Sequence, residues 1–305
     1  MVKNVMTCTL CPRLCGADRV NGKIGYCGAG GTLKVARASL HLWEEPPISG
    51  ERGSGTVFFS HCPLKCVYCQ NREISSGGDG LPITVERLCD IFFELKAKGA
   101  HNINLVSPTQ YTDHIAEAIR MAKKKGFDLP FVYNTSGYER LETLRSLAGL
   151  IDIYLTDFKY MSASLAERYS HAADYPVVAA MALGEMMFQQ PKCEYRGELL
   201  RRGVIVRHLL LPGQTADSKD VIDTFASVCG KHAWLSLMRQ YTPPKTCAYP
   251  ELMRPITDAE YDEVVGYAEL CGITKLFLQE SESVSESFIP KFDYSGVLPE
   301  GEHTI

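Results

Sequence analysis

GTVFFSHCPLKCVYCQN, residues Gly55–Asn71, decides how this 305-residue chain is read. A short apolar run, Val57-Phe58-Phe59, leads into Cys62, Cys66 and Cys69 at C-x3-C-x2-C spacing. A four-iron cluster takes four cysteine ligands; this loop offers three, which leaves one iron open to a small molecule. Structural zinc asks for something else, paired C-x2-C ligands and four protein donors. His61 is the candidate for a fourth donor, but neighbours such as His61 and Cys62 rarely both reach one ion. A disulfide reading leaves one cysteine over, in a chain that reads as intracellular.

Composition bounds the rest. With 45% hydrophobic residues the chain can bury one barrel-sized core plus an extension. A net charge of −4 and a pI near 6.1 argue against non-specific nucleic-acid binding, which needs a basic face. No stretch approaches the roughly 20 apolar residues of a membrane span, and MVKNVMTCTLCPRLC lacks a signal peptide's apolar centre. Twelve cysteines without a secretion signal read as metal ligands and reduced thiols, so the expected compartment is the cytoplasm.

Three regions are expected: a cysteine-rich extension and linker at 1–50, a core at 51–280 and a peripheral tail at 281–305 that begins with the polar loop 281–287. Cys8, Cys11, Cys15 and Cys27 are spaced C-x2-C-x3-C-x11-C among glycines, the composition of a compact metal knuckle. Zinc, a second iron–sulfur cluster and four metal-free thiols all stay open there. His41, Glu44 and Glu45 precede Pro46-Pro47 and read either as residues near the site or as a solvated linker with one packed histidine. Apolar runs at 56–61, 102–107, 130–134, 151–157, 203–211 and 233–238 read as strands, with 275–279 as a closing one. Helical stripes lie between them: Val85, Leu88, Phe92 and Leu95, then Ile115 and Ile119, stopped near Gly126. Ser136-x-x-Glu139 and Thr257-x-x-Glu260 have the capping-box pattern of helix starts. Strands separated by helices build a parallel sheet with right-handed crossovers. Cys89, Cys229 and Cys271 fall in helical segments, where cysteine packs as a small hydrophobe, and the Met-rich run 181–190 reads as core.

C-x3-C-x2-C with Tyr68 before its third cysteine resembles the signature of the radical S-adenosylmethionine (radical SAM) superfamily. The segments EEPPISGERGSGTVFFSHCPLKCVYCQNREIS, GAHNINLVSPTQY, VYNTSGYE, DIYLTDFKY, RHLLLPG and LMRQYTP resemble, in order, its uncharacterised pyruvate formate-lyase-activating-enzyme-like branch. That resemblance implies a partial (β/α)6 TIM-like barrel with the cysteine-rich segment as an N-terminal extension. It also implies a [4Fe–4S] cluster on Cys62, Cys66 and Cys69 whose open iron is chelated by SAM. An electron from the cluster would cleave SAM to methionine and a 5′-deoxyadenosyl radical. The implied partners are a flavodoxin- or ferredoxin-type electron donor and, if the activity is activase-like, a glycyl-radical protein. Modification of a small metabolite or another macromolecule is the alternative, and a SAM-free electron carrier or sensor a more distant one.

Parallel barrels place their chemistry at the C-terminal strand ends. Those ends carry Ser107-Pro108-Thr109-Gln110, Asn134-Thr135-Ser136, Asp157-x-Lys159, Arg207-His208 and Arg239-Gln240-Tyr241. Relatives offer a GGE motif to the SAM amino group; here Ser107 and Thr109 stand in its place, without a carboxylate. Arg207 or Lys159 would pair with the SAM carboxylate, unless Arg207 is held by Asp157. Asn134, Thr135 and Asp157 fall where activases carry oxygen ligands, and Asp157-x-Lys159 resembles their DxK motif, with Asn134 replacing an aspartate. Tyr68 completes the expected SAM contacts. Gln70 and Asn71 either donate to cluster sulfides or cap the next helix.

Overall fold

The run Val57-Phe58-Phe59 lies in a strand, β2 (Ser54–Phe59), every residue of which is buried. Burial on both faces is what a parallel sheet covered by helices demands, and it explains why this strand reads as unbroken apolar sequence. The computed structural model describes residues 7–279, 290–299 and 301. The expected polar loop at 281–287 lies outside them, as does the rest of the tail apart from 290–299 and 301.

The remaining strands are β1 (Leu33–His41), β3 (Leu81–Ile83), β4 (Ile103–Val106), β5 (Phe131–Thr135), β6 (Ile153–Asp157), β7 (Glu194–Arg196), β8 (Leu199–Leu209), β9 (Trp234–Met238) and β10 (Leu276–Leu278). The helices are α1 (Pro46–Ser49), α2 (Arg72–Ser75), α3 (Val85–Ala97), α4 (Thr112–Lys124), α5 (Leu141–Ser146), α6 (Ala163–Ser170), α7 (Tyr175–Gln189), α8 (Thr215–Cys229) and α9 (Asp258–Leu270). Strand order is β10-β9-β8-β6-β5-β4-β2-β1-β3, with β7 paired to β8 as a hairpin. From β2 to β10 every neighbour is parallel. The sheet is open, a partial barrel, and its first edge is finished by antiparallel β1 and β3.

Alternation along the strands separates two cores. Val57, Leu105, Tyr133, Tyr154, Val206 and Leu237 face outward into the large cluster shared with the helices. Val132, Ile153, Leu155 and Ile205 face inward and pack with Ile48 of α1 and Leu200, closing the bottom of the barrel. The helices follow their stripes: α3 buries Leu88, Cys89, Ile91, Phe92 and Leu95 behind an N-cap in which Thr84 accepts from the Arg87 amide. The capping box at Thr257 and Glu260 is formed.

Five expectations meet a different structure. Residues 33–41, expected as linker, are β1, and their backbone groups pair with β2 from Val35↔Phe59 to His41↔Ser54. Ser136-x-x-Glu139 starts no helix: Gly137 turns at φ 78°, Glu139 is buried, and α5 begins only at Leu141. A Cβ on Gly137 would stand 2.4 Å from the Asp157 carbonyl oxygen, so the chain crosses the end of β6 there, at a φ that favours glycine. Residues 290–299 are not peripheral. The Tyr294 amide donates to Ala36 O, Ser295 O accepts from the Ala38 amide, Phe292 meets Phe58 edge-on and Val297 is fully buried. Cys271 caps α9 and is exposed, unlike Cys89 and Cys229, and α7 buries Met186 while leaving Met181 at the surface.

Candidate functional site

The loop after β2 carries Cys62, Cys66 and Cys69 at the C-terminal end of the first parallel strand, half-buried and free of disulfides. Each sulfur accepts one hydrogen bond. The Leu64 amide donates to Cys62 Sγ at 3.5 Å, Ser170 Oγ to Cys66 Sγ at 3.0 Å and Ser75 Oγ to Cys69 Sγ at 3.3 Å. Donors aimed at sulfur suit thiolates. Burial nevertheless pushes the Cys62 thiol up to about 12, with Cys66 beside it acting the same way, so loading iron must release protons. His61 and Lys65 both take positive φ, 72° and 53°, and Ser107 at the end of β4 takes 56°. Three non-glycine residues in the left-handed region on one rim mark a site where geometry is imposed.

Among the described residues no three Cys, His, Asp or Glu side chains converge on a single-ion position. Thiolates on one tetrahedral zinc, bonded at ~2.3 Å, would stand only about 3.8 Å apart. A cube takes each thiolate on a different iron and spreads them wider. His61 makes no zinc site with this loop: its ring packs against Gly28 and Gly78, where a Cβ would lie 2.8 Å and 2.5 Å from ring atoms. Three donor-supported thiols with no fourth cysteine in the loop fit a cluster with one iron left open.

Beside the loop a cavity of about 470 Å³ opens into the barrel. It is lined by Gln70, Asn71, Asn134 and Arg207, and also by His41, Glu44 and Glu45 from the segment after β1. Arg207 is not paired with Asp157. Its Nε donates to Glu45 Oε1 at 2.7 Å, and Nη2 donates to both Glu44 and Glu45. Glu44 also accepts from Asn104 Nδ2 at 2.7 Å. Burial alone would raise the Glu45 carboxyl; the guanidinium outweighs it and holds the group below its usual range. Asp157 pairs instead with Lys159, Nζ to Oδ2 at 2.6 Å. Burial would lower Lys159, but Asp157 and the neighbouring Cys66 keep it charged. Ser236, Met238 and Gln279 also line the cavity and were not foreseen; the signal for Ser236 is one polar residue inside the apolar run WLSLM.

Other expected contacts turn away from this cavity. The Tyr68 hydroxyl lies 2.6 Å from that of Tyr160, which in turn meets Ser170 Oγ at 2.9 Å, inside the wall behind the loop. Thr109 and Thr135 both donate to Glu139 Oε1 at 2.5 Å on the outer side of the sheet. Burial raises the Glu139 carboxyl to about 7 against those donors, from an ordinary 4.5. The folded state therefore binds the proton more tightly than the unfolded one. That contribution is full below about pH 4.5 and is lost as pH rises through 7. Glu139→Gln is expected to flatten the stability profile across that window, by up to the order of 3 kcal/mol. Urea titrations at pH 5 and pH 8 check this; an unchanged difference between the two would show that Glu139 is not the titrating group.

The four N-terminal cysteines lie on the same rim. Arg13 Nε donates to Pro63 O and Nη2 to Ser170 O, both at 3.0 Å, and Arg19 Nη1 donates to Gln110 O at 2.6 Å. Gln110 Nε2 in turn donates to Ser60, His61 and Ser107 carbonyls. The extension is thereby tied to the cysteine loop and to the end of β4. No helix among the described residues is long and apolar enough to cross a membrane.

Comparison with known proteins bears on residues 56–183, which match the family model described as the Radical SAM superfamily. An uncharacterised protein of Methanocaldococcus jannaschii is 28% identical over 291 residues, covering 91% of this chain and 79% of that one. Among solved structures, Streptococcus suis SuiB bound to precursor peptide SuiA superimposes with a TM-score of 0.50 at 12% identity. The match covers 72% of this chain and 46% of SuiB, so this chain spans about half of SuiB's length. A domain of pyruvate-formate lyase-activating enzyme from Bacteroides vulgatus matches at a TM-score of 0.41 and 13% identity, over 56% of this chain and 92% of that one.

Proposed function

We propose that this chain, whose residues 56–183 match the Radical SAM superfamily model, is a radical SAM enzyme that abstracts hydrogen from a substrate entering the barrel mouth. One observation carries the reading: three donor-supported thiols lie on the loop that follows the first parallel strand, and the next residues of that loop, Gln70 and Asn71, line a cavity at the C-terminal rim. Cys62, Cys66 and Cys69 would hold a [4Fe–4S] cluster. When bound with SAM, that cluster supplies an electron that cleaves SAM to methionine and a 5′-deoxyadenosyl radical. The protein's part is to bind, orient and exclude water.

Asn134, with Gln70 and Asn71, supplies hydrogen-bonding groups at the mouth. Lys159, held charged by Asp157 and acting electrostatically on Cys66, is a better partner for the SAM carboxylate than Arg207, which is already shared between two glutamates. Ser107 keeps a place at the rim, whereas Tyr68, Thr109 and Thr135 act behind the site by fixing its walls. The substrate in the activase-like reading is a glycine of a glycyl-radical enzyme. A small polar metabolite is the second reading, favoured by the floor of Glu44, Glu45 and Arg207. A flavodoxin- or ferredoxin-type protein is the proposed electron donor, and the cytoplasm the proposed compartment.

The test is anaerobic: reconstitution with iron and sulfide, reduction with dithionite, addition of SAM, and assay for 5′-deoxyadenosine. Its formation supports the enzyme; a reduced cluster that neither binds nor cleaves SAM would replace it with an electron carrier or sensor. A glycyl radical appearing by electron paramagnetic resonance on an added partner separates the two substrate readings.

A further inference from the structure

We propose that Cys8, Cys11, Cys15 and Cys27 bind a second iron–sulfur cluster, seated on the barrel rim beside the Cys62–Cys69 loop. Residues 7–30 bury only Cys11, Cys27 and Ala29, and their single regular element is a three-residue 3-10 turn at Arg19–Asn21. A segment of this kind has no apolar core to hold its shape, and a metal centre supplies that missing stability.

The backbone is arranged for sulfur ligands. The Ala29 amide, two residues on, donates to Cys27 Sγ at 3.4 Å. Cys62 has the same relation to the Leu64 amide. The four thiols are also close enough to act on one another, Cys8 on Cys11, Cys15 on Cys8, and Cys27 on both. Gly25 leaves space between two of them: a Cβ there would stand 3.1 Å from Cys15 Sγ and 3.6 Å from Cys27 Sγ.

Two buried donors beside this set favour the centre with more acceptor atoms, a cluster over zinc. Arg19 gives Nη2 to Cys27 Sγ at 3.3 Å and Nη1 to Gln110 O, which leaves Nε without an acceptor. The Tyr111 hydroxyl, fully buried and within the electrostatic reach of Cys27 and Arg19, has none either. Metal-bound thiolates accept such bonds in either centre, and a cluster adds inorganic sulfides as further acceptors.

The test uses the full chain carrying Cys62→Ala, Cys66→Ala and Cys69→Ala, reconstituted anaerobically beside wild type. The expected result is about four irons in the variant and about eight in wild type, with an electron paramagnetic resonance signal from the reduced variant. In the otherwise wild-type chain, Cys11→Ala with Cys27→Ala should bring iron from about eight to about four. Wild type at about four irons with none in the triple variant would overturn the second cluster and leave the radical SAM reading standing. About four in both, with the N-terminal double variant empty, would support the second cluster and sink the other. One zinc per chain in the triple variant, not displaced by iron, would also overturn the proposal.

Discussion

Arg207→Met is expected to destabilise the chain by about 3–5 kcal/mol, because it strands two buried carboxylates that share one cation. Arg207 is held between Glu44 and Glu45, and the side chains of both glutamates are at most 7% exposed. The loss should depend on pH in a defined direction. In the wild type Glu45 is held below its usual range by the guanidinium, so its contribution is present above about pH 4.5 and fades as pH falls. Without Arg207 the desolvation of Glu45 is unopposed and the sign reverses: the variant loses further stability as pH rises above that point. Denaturant titrations at pH 5 and pH 8 should show the larger deficit at pH 8, and adding Glu45→Gln to the variant should recover part of it. Equal deficits at both pH values, without rescue, would mean that Arg207 acts through packing. Because the deficit is measured without SAM, it also separates a structural arginine from one reserved for the cofactor.

The second large effect concerns Cys66→Ala, expected to abolish cluster binding in its loop and 5′-deoxyadenosine formation, a loss of at least a thousandfold in the assay. The Cys66 sulfur accepts from Ser170, which is itself tied to Tyr160 and through it to Tyr68. Ser170→Ala removes that donor while keeping the thiol, and should retain the cluster while altering its reduction potential, since hydrogen bonds to sulfur are one of the protein's levers on it. Full activity in Cys66→Ala would remove the basis of the functional reading. A normal cluster potential in Ser170→Ala would show that the Ser170 contact is only architectural.

The legible parts of this molecule share one property: their signals are local. The parallel strands are buried on both faces and read as apolar runs, and three thiols within eight residues announce themselves without a fold. The hidden parts depend on distant partners. Arg207 and Glu45 are 162 residues apart, and nothing near either one tells which carboxylate answers which cation. Asp157 and Arg207 prove to be in register on neighbouring β6 and β8, yet their side chains part ways. Ser136-x-x-Glu139 misleads for a different reason: a capping glutamate and a buried glutamate present the same letters, and only Gly137 against the Asp157 carbonyl decides between them. β1 was masked by its setting, a mixed polar strand between a cysteine-rich loop and Pro46-Pro47.

The segment after β1 that carries Glu44, Glu45 and Ile48 into the barrel also orders events during synthesis. At ~5–20 residues per second, roughly 8–32 s separate translation of Glu45 from that of Arg207. In that interval β1 and β2 can already pair, since they are neighbours in the chain. Ile48, however, has no Leu200 or Ile205 to pack on, and the two carboxylates remain hydrated. The floor of the barrel is therefore closed late, when β8 delivers apolar partners and counter-charge together. A nascent chain stalled before that strand would hold a complete Cys62–Cys69 loop above an unsealed, water-filled cup.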